Sequence, residues 1–443
     1  CFSYIITFKS YINNVGFSIK IDKSFRLKKL LKETIQLNNS NNKRLAIVTT
    51  HPIQYYAPLF KLLNERGLIT VKVFYTWSQS QQGAKYDPGF GKSIQWDIPL
   101  LEGYDYTFVK NISSQPGTHH FYGIITPTLI TEIEDWEPDA VLIIGWSFQA
   151  HLKCMRYFHN KIPVLFRGDS TLLAERWGPR LLFRTFFLRW VYKFIDYAFY
   201  VGTNNKLYFL RHGVKENQLI FAPHAVDNNR FFGKENLYEE KASLWRKDLN
   251  IKKDDIVFLY AGKLEYKKDP GLLIRAFKKI YNPGIHLIIL GNGPLEKKLK
   301  NTYSHIPNLH FIDFQNQLQM PVVYRLGNVL ILPSKGPVET WGLSINEAMA
   351  SSRAVIVSNR CGCGVDLVKG GVNGFIFRRN DLANLIDKMN KVIENKNRLS
   401  EMGNSSLKII RNWSFEKICE QVEKLLTKQT STYPEINSNR SVV

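Results

Sequence analysis

The order of apolar and polar segments predicts an α/β protein built as two domains of parallel strands and helices, facing each other across a cleft. Three observations carry this. From residue 44 onward, short runs rich in Val, Ile and Leu alternate with segments of helical period, the pattern of parallel winding. The alternation breaks in a charged stretch after 227 and restarts with a second buried-type strand at 256–261. A chain of 443 residues also exceeds one ordinary core, so two units of about 180 residues each are expected.

In the first half, RLAIVTT at 44–50 reads as a buried strand, and HPIQYYAP at 51–58 leads into a helix ending near Gly67. A second strand is expected at 69–75. The polar stretch 78–92, rich in Gly and Gln and without periodicity, reads as a functional loop over the cleft. A helix at 127–136, a strand at 140–144, a helix at 148–159 and a strand at 163–166 continue the winding. Segment 177–200 is different, because Trp, Phe, Leu and Tyr are interleaved with Arg180, Arg184, Arg189 and Lys193, with no acid before Asp196. It reads either as a packed helix with a basic outer side or as an interfacial helix resting on anionic lipid. At about 100° per residue Arg180 and Arg184 share a side while Arg189 and Lys193 lie most of a half-turn away, so a broad basic face is expected. A last strand fits 219–222, followed by PHAVD at 223–227 and a charged connection to 253.

These breaks set the domains at 44–225 and 226–413, with a final helix at 414–428. An atypical extension at 1–43 precedes them, and a loose Ser/Thr/Asn-rich tail at 429–443 follows. A chain that opens on Cys1 rather than Met reads as a fragment. The balance of 60 Lys+Arg against 38 Asp+Glu, a net +22, implies an anionic partner. Nucleic acid, an acidic membrane surface and phosphate-bearing small molecules all qualify. The cysteines Cys1, Cys154, Cys361, Cys363 and Cys419 lack zinc-site spacing, so reduced thiols in a cytosolic setting are expected and no metal site. No run of about 18 apolar residues occurs that would span a membrane.

In the second half, strands are expected at 256–261, 285–290, 309–312, 329–332 and 354–357, with helices at 270–280 and 381–394. Four loops follow strands and therefore share one sheet edge: GKLEYKKD at 262–269, GNGP at 291–294, PSKGPVETWGL at 333–343 and RCGCG at 360–364. Lysines there supply point charges, glycines let backbone N–H groups approach, and a helix starting near Ser344 adds its positive dipole end. Together they form an anion cradle at the place where open α/β sheets bind ligands. Read alone, Ser344 and Glu347 fit an S-x-x-E capping box and Glu339 is a solvated loop acid. No GxxxxGK[ST] occurs, and no GxGxxG follows the first strand of either half, which argues against a P-loop nucleotidase and a dinucleotide oxidoreductase. No Asp-x-Asp stands near the loops to hold Mg²⁺, so cationic side chains and the helix end are expected to neutralise a diphosphate.

With these motifs the chain resembles the retaining glycosyltransferases of family 4, the glycosyl transferases group 1, over 45–426. The most specific element is E-x7-E, here Glu339 to Glu347; PHAVD, AGKLEYKKDP at 261–270, GNGP and LPS at 332–334 support it. THPIQYYAPLF at 50–60, FRGDS at 166–170 and FQNQ at 314–317 are similar to a bacterial subgroup that builds surface polysaccharides. The resemblance implies the GT-B fold: two Rossmann-like domains, the first for acceptor and the second for donor, with the C-terminal helix crossing back to the first.

It further implies that Glu347 binds the ribose of a nucleotide-sugar, that Glu339 faces the donor sugar, and that Lys263 and Lys268 hold the diphosphate. Trp341, Gly342, Leu343 and Ser344 would lie at the dipole end, with Gly291 and Gly293 beside the donor and FQNQ near the base. The family more often carries Arg where Lys263 stands, so a bidentate grip becomes a point charge. In the first domain the family's Gly-Gly loop reads His51-Pro52 and its His-containing loop reads Gly145-Trp146-Ser147, leaving His51 and Asp169 as cleft candidates.

The implied reaction is metal-independent transfer with retention, in which the leaving phosphate takes the proton from the attacking hydroxyl. The nucleotide-sugar is a co-substrate and no cofactor is expected. The acceptor would be a glycan or lipid-linked, the place cytoplasmic and peripheral at the inner face of the cell membrane through 177–200, and no nucleic acid is expected. The competing readings are an epimerase or hydrolase of nucleotide-sugars on the same fold, and a basic nucleic-acid-binding protein.

Overall fold

The computed structural model of the chain describes residues 42–81, 85–87, 89–175, 178–336 and 339–428. The expected extension before 42 and the tail from 429 lie outside the described residues. The first domain holds β1 (Lys43–Thr49), β2 (Ile69–Tyr75), β3 (Lys85–Asp87), β4 (Lys92–Ile94), β5 (Asp105–Phe108), β6 (Ala140–Ile144), β7 (Val164–Arg167), β8 (Tyr197–Tyr200) and β9 (Leu219–Phe221). The second holds β10 (Ile256–Ala261), β11 (Ile285–Leu290), β12 (Leu309–Ile312), β13 (Val329–Leu332), β14 (Ala354–Ser358) and β15 (Gly374–Phe377).

Seven strands of the first domain pair in the order β5-β2-β1-β6-β7-β8-β9, and the six of the second in the order β12-β11-β10-β13-β14-β15. Every pairing within these two sheets is parallel. The order reverses between β1 and β6 and again between β10 and β13. At such a switch point neighbouring connections leave in opposite directions and open a crevice at the carboxyl ends of the strands.

The apolar runs are continuous because helices cover both faces of each sheet. In β10, Ile256, Phe258 and Tyr260 enter one core cluster while Val257, Leu259 and Ala261 enter the other, the alternation that a strand imposes on consecutive side chains. In β1, Ala46 and Val48 face one side, and Leu45 and Ile47 the other. That second side is completed from the far end of the chain: helix Phe415–Lys428 contributes Phe415, Ile418, Cys419, Val422 and Leu426. Arg66 clamps the same helix through a two-pronged pair with Glu423, at 2.6 and 2.8 Å. The last helix thus leaves the second domain and packs on the first.

Two sequence expectations are corrected. The loop 78–92 is not free of regular structure, because β3 and β4 pair antiparallel within and just beyond it. Segment 177–200 is not one helix with a broad basic face. Trp177 lies outside the described residues, helix Pro179–Val191 is followed by a turn at Tyr192–Phe194, and Tyr197–Tyr200 forms β8 inside the sheet. Thr185, Leu188 and Val191 are the helix's buried stripe, and large apolar side chains, not bases, dominate its outer face.

One buried group makes stability depend on pH. His151 is fully buried between Thr76 Oγ1 and the Gly145 carbonyl, each at 2.8 Å. Burial lowers its pKa from 6.5 to about 4, although hydrogen bonds to Gly145 and Ile144 oppose the shift. The unfolded chain therefore binds this proton first as pH falls. Stability is expected to be full above pH 6.5 and to decline as pH drops from 6.5 towards 4. Urea midpoints taken across that window check it, and His151→Gln should flatten part of the slope.

Candidate functional site

A cavity of about 410 Å³ opens at the β10/β13 switch point, closed from above by the first domain. Its floor is the loop after β13. Gly342 stands at the N-cap of helix Leu343–Ala350 with φ 104, a conformation that suits glycine, and it offers no side-chain cap. The amides that open the helix at Leu343 and Ser344 are therefore left to a ligand, at the positive end of the helix dipole. The helix begins one residue earlier than expected, and Ser344 is inside it rather than at its cap.

Glu347 consequently does not close a capping box. Its carboxylate is buried, accepts a 2.5 Å hydrogen bond from Tyr324, and leaves Oε1, in the cavity wall, without a hydrogen bond among the described residues. Burial raises its pKa, and the Tyr324 hydroxyl, the Arg230 charge and the Tyr55 hydroxyl oppose that. Tyr55, pushed up by burial and by Glu347, remains a neutral hydroxyl beside it.

Glu339 is no stray loop acid either. Its Oε2 accepts from Ser334 Oγ at 2.9 Å and pairs with Lys268. Lys268 lies in the turn after β10, so the two loops that flank the switch point are joined by a charge pair at the mouth of the crevice. Lys263, on the same β10 loop, is held by the first domain. Asp87 receives it through both oxygens at 2.8 and 2.9 Å, and Phe90 lies under its ammonium. Burial raises the Asp87 carboxyl, but Lys263 and the amides of Phe90 and Gly89 outweigh it and the net shift is downward.

Of the residues read from sequence, Glu339, Lys263, Lys268, Glu347 and Gly291 line the cavity, as do Trp341, Gly342, Leu343, Ser344 and Asp169. Gly293 and His51 do not. Gly293 is demanded by packing, since a Cβ would sit 2.8 Å from the Leu264 carbonyl and 2.9 Å from that of Gly89. Gly291 likewise brings β11 against the Gly262 carbonyl, and its amide is bonded to Ile312 rather than offered to a ligand. His51 is turned to Thr50 Oγ1 at 2.9 Å and to the edge of Trp77. The RCGCG loop stands behind the cradle. Gly362 N bonds the Glu339 carbonyl and Cys363 N that of Trp341, both at 3.1 Å.

Several lining residues were not singled out from sequence. His224, inside PHAVD, lies 3.9 Å from Asp169, which in turn accepts from Thr340 at 2.7 Å. Burial, and then the charge of Arg167, lower its pKa to about 4, so it is neutral at pH 7. The Pro-His pair at the domain boundary was the available signal. Phe314 and Gln317, which belong to the FQNQ stretch expected near the base, close the far end, with Phe314 against Phe90 at 4.8 Å and Gln317 Oε1 without a hydrogen bond among the described residues. Among the described residues no three His, Cys, Asp or Glu cluster in a way that could hold a metal ion.

Residues 242–408 match the family Glycosyl transferases group 1. A galactosyltransferase of Escherichia coli, "UDP-Gal:alpha-D-GlcNAc-diphosphoundecaprenol alpha-1,3-galactosyltransferase", is 28% identical over 46% of this chain and 52% of its own length. The "Capsular polysaccharide biosynthesis glycosyltransferase CapM" of Staphylococcus aureus is 28% identical over 51% of this chain and 56% of its own. The chain thus spans about half the length of the curated relatives it matches. Anabaena Alr3699/HepE, solved with UDP and glucose, superposes with a TM-score of 0.63 at 16% identity, covering 87% of this chain and 100% of that one. WaaG, a glycosyltransferase of lipopolysaccharide biosynthesis, superposes at 0.59 with 12% identity, covering 86% and 99%. At such identities the superpositions speak to fold alone, and the fold is GT-B.

Proposed function

Starting from residues 242–408, which match the glycosyl transferases group 1, we propose that the chain transfers a sugar, with retention, from a nucleotide-diphosphate-sugar to a glycan or lipid-linked acceptor in bacterial surface-polysaccharide assembly. One observation carries the reading. A buried carboxylate with an unused oxygen, Glu347, shares one cavity with an open helix end and the Lys268–Glu339 pair. Such a carboxylate suits a ribose diol, and the helix end and lysines suit a diphosphate.

In this reading the diphosphate lies on the Leu343 and Ser344 amides with Lys268 and Lys263 around it, and Glu339 orients both Lys268 and the sugar. The acceptor hydroxyl approaches from the side of Asp169 and neutral His224. Its oxygen bonds to the anomeric carbon on the face the diphosphate leaves, and its proton passes to the departing phosphate oxygen. Catalysis is then positioning plus stabilisation of the leaving charge. Phe314 and Gln317 face the base. The cationic groups balance the diphosphate, so transfer is expected to persist in EDTA. No described helix is long and apolar enough to cross a membrane, and the proposed place of action is the inner membrane face, approached through helix Pro179–Val191.

The test is nucleotide release. A UDP-, GDP- or ADP-sugar that raises the melting temperature should yield free nucleotide only when a glycan acceptor is present. Release without acceptor would point to a hydrolase instead, and salt-sensitive DNA binding without any nucleotide effect would favour the nucleic-acid reading. Asp87 competes with the diphosphate for Lys263, so Asp87→Ala is expected to tighten nucleotide binding about two- to fivefold, the scale of one half-exposed ion pair. Weaker binding by calorimetry would mean that Asp87 instead helps hold the donor in.

A further inference from the structure

Beside the donor cavity lies a second one, of about 390 Å³, lined by Ser170, Thr171, Arg180, Arg184 and Tyr208. Thr340 is a wall of both cavities, and its bond to Asp169 is the partition between them. The acid lining the second cavity, Glu175, is already engaged: His212 lies 2.9 Å from it and Arg184 3.6 Å. Arg184 also donates to Tyr208 at 3.0 Å, which holds its guanidinium against the cavity wall. Arg180 is exposed and has no ion partner among the described residues. The cavity therefore presents uncompensated positive charge and several hydroxyls, the chemistry that recognises phosphate.

Both arginines belong to helix Pro179–Val191, whose outer face is apolar. Phe183 is 77% exposed, Phe186 66% and Leu182 57%, and Phe187 and Trp190 are exposed beside them. At about 100° per residue these five side chains fill one continuous arc. Arg180 and Arg184 border the arc on the cavity side, and Arg189 borders it on the other. Basic side chains flanking an exposed apolar arc fit an anionic bilayer surface, with the aromatics among the acyl chains and the guanidinium groups at the phosphates.

Building on the glycosyltransfer reading, we propose that this second cavity receives the phosphate-bearing head of a lipid-linked acceptor while the lipid remains in the membrane along Leu182, Phe183, Phe186, Phe187 and Trp190. The glycan attached to that head would then reach past Thr340 and Asp169 to the donor sugar. The membrane face and the acceptor site are in this view one continuous surface, with Arg180 and Arg184 at the junction.

Flotation of the full chain with vesicles tests this. Three vesicles are compared: phosphatidylcholine alone, phosphatidylcholine with phosphatidylglycerol, and phosphatidylcholine with a long-chain polyprenyl phosphate at the same surface charge. The polyprenyl phosphate vesicle is expected to bind about fivefold tighter than its charge-matched control, an increment the size of one extra basic contact. Arg180→Glu should abolish that increment. Phe183→Ser with Phe186→Ser should weaken binding to all anionic vesicles by about tenfold or more.

Equal binding to the two anionic vesicles would overturn the proposal. So would inorganic pyrophosphate in solution binding as tightly as the polyprenyl vesicle, which would mark a free-phosphate site. A solution dimer dissolved by the Phe183/Phe186 substitutions would assign the apolar face to a second copy. Arg180 lies outside the donor cavity, so the nucleotide-induced melting shift is run on the same samples. Loss of the vesicle result with that shift intact removes only the acceptor inference, whereas loss of the shift removes the donor reading.

Discussion

Lys268→Ala is expected to lower sugar transfer by about 10²–10³-fold, and Glu339→Ala to do the same, with both proteins folded. The two losses should differ in kind. In the proposed mechanism Lys268 supplies charge to a departing diphosphate, so its removal should weaken nucleotide binding as well as turnover. Glu339 holds Lys268 through its Oε2, which is also tied to Ser334, and in the proposed mechanism it faces the sugar rather than the nucleotide. Its removal should leave the UDP-induced melting shift largely intact while turnover of the nucleotide-sugar collapses.

Stability separates the pair further. Lys268→Ala leaves a largely buried carboxylate with Ser334 as its remaining partner, at a cost of about 1–3 kcal/mol. In Lys268→Ala/Glu339→Ala the stranded charge is gone, so the double variant should be more stable than Lys268→Ala and equally inactive. Normal turnover in either single variant would remove the pair from the site.

The frame was legible because its signal is local. A strand covered by helices on both faces must be a continuous apolar run, and 256–261, 285–290 and 329–332 are such runs. Each of these three strands also announces its loop by Gly, Lys or Pro. The hairpin of β3 and β4 had no such signal. What holds it is distant: Lys263 grips Asp87, Phe314 meets Phe90, and Asn316 donates to the Gln95 carbonyl at 2.6 Å. Likewise β8 is hidden in 177–200 because only a short turn at Tyr192–Phe194 separates its four residues from an aromatic-rich helix with a strand-like composition of its own.

The same distinction runs through the site. Glu339 and Glu347 were singled out by the family resemblance rather than by local rules, and the structure gives them different environments, one paired with a lysine and one buried with an oxygen that has no hydrogen bond among the described residues. The lysine partner is 71 residues away, and no local rule connects them. His51 illustrates the reverse error, since its place after the first strand says nothing of the rotamer that turns it to Thr50. The glycines were legible as glycines but not by purpose. The anion-cradle reading attributes all of them to open amides, whereas Gly291, Gly293 and Gly362 are required by carbonyls that press on their missing side chains.

Gly362 turns that last point into an expected result. A Cβ there would lie 1.7 Å from the Thr340 carbonyl oxygen, far inside any contact a real side chain makes. Both partners are backbone, and both are fixed: Gly362 N holds the Glu339 carbonyl and Cys363 N that of Trp341. Gly362→Ala must therefore displace the segment carrying Glu339, Thr340 and Trp341 by an ångström or more, on the order of the misplacement that costs about 10²-fold in rate. The expected stability loss is about 2–4 kcal/mol. Because Gly362 does not line the donor cavity, the loss should fall mainly on kcat, with KM for the nucleotide-sugar changed less. Gly364→Ala, whose nearest contacts are side-chain atoms at 3.3 and 3.6 Å, and Gly370→Ala, with nothing within 4 Å, are the controls and should retain most activity. If all three variants melt and turn over alike, the Glu339 segment is not braced by the loop behind it, and its position must be set from the Lys268 side alone.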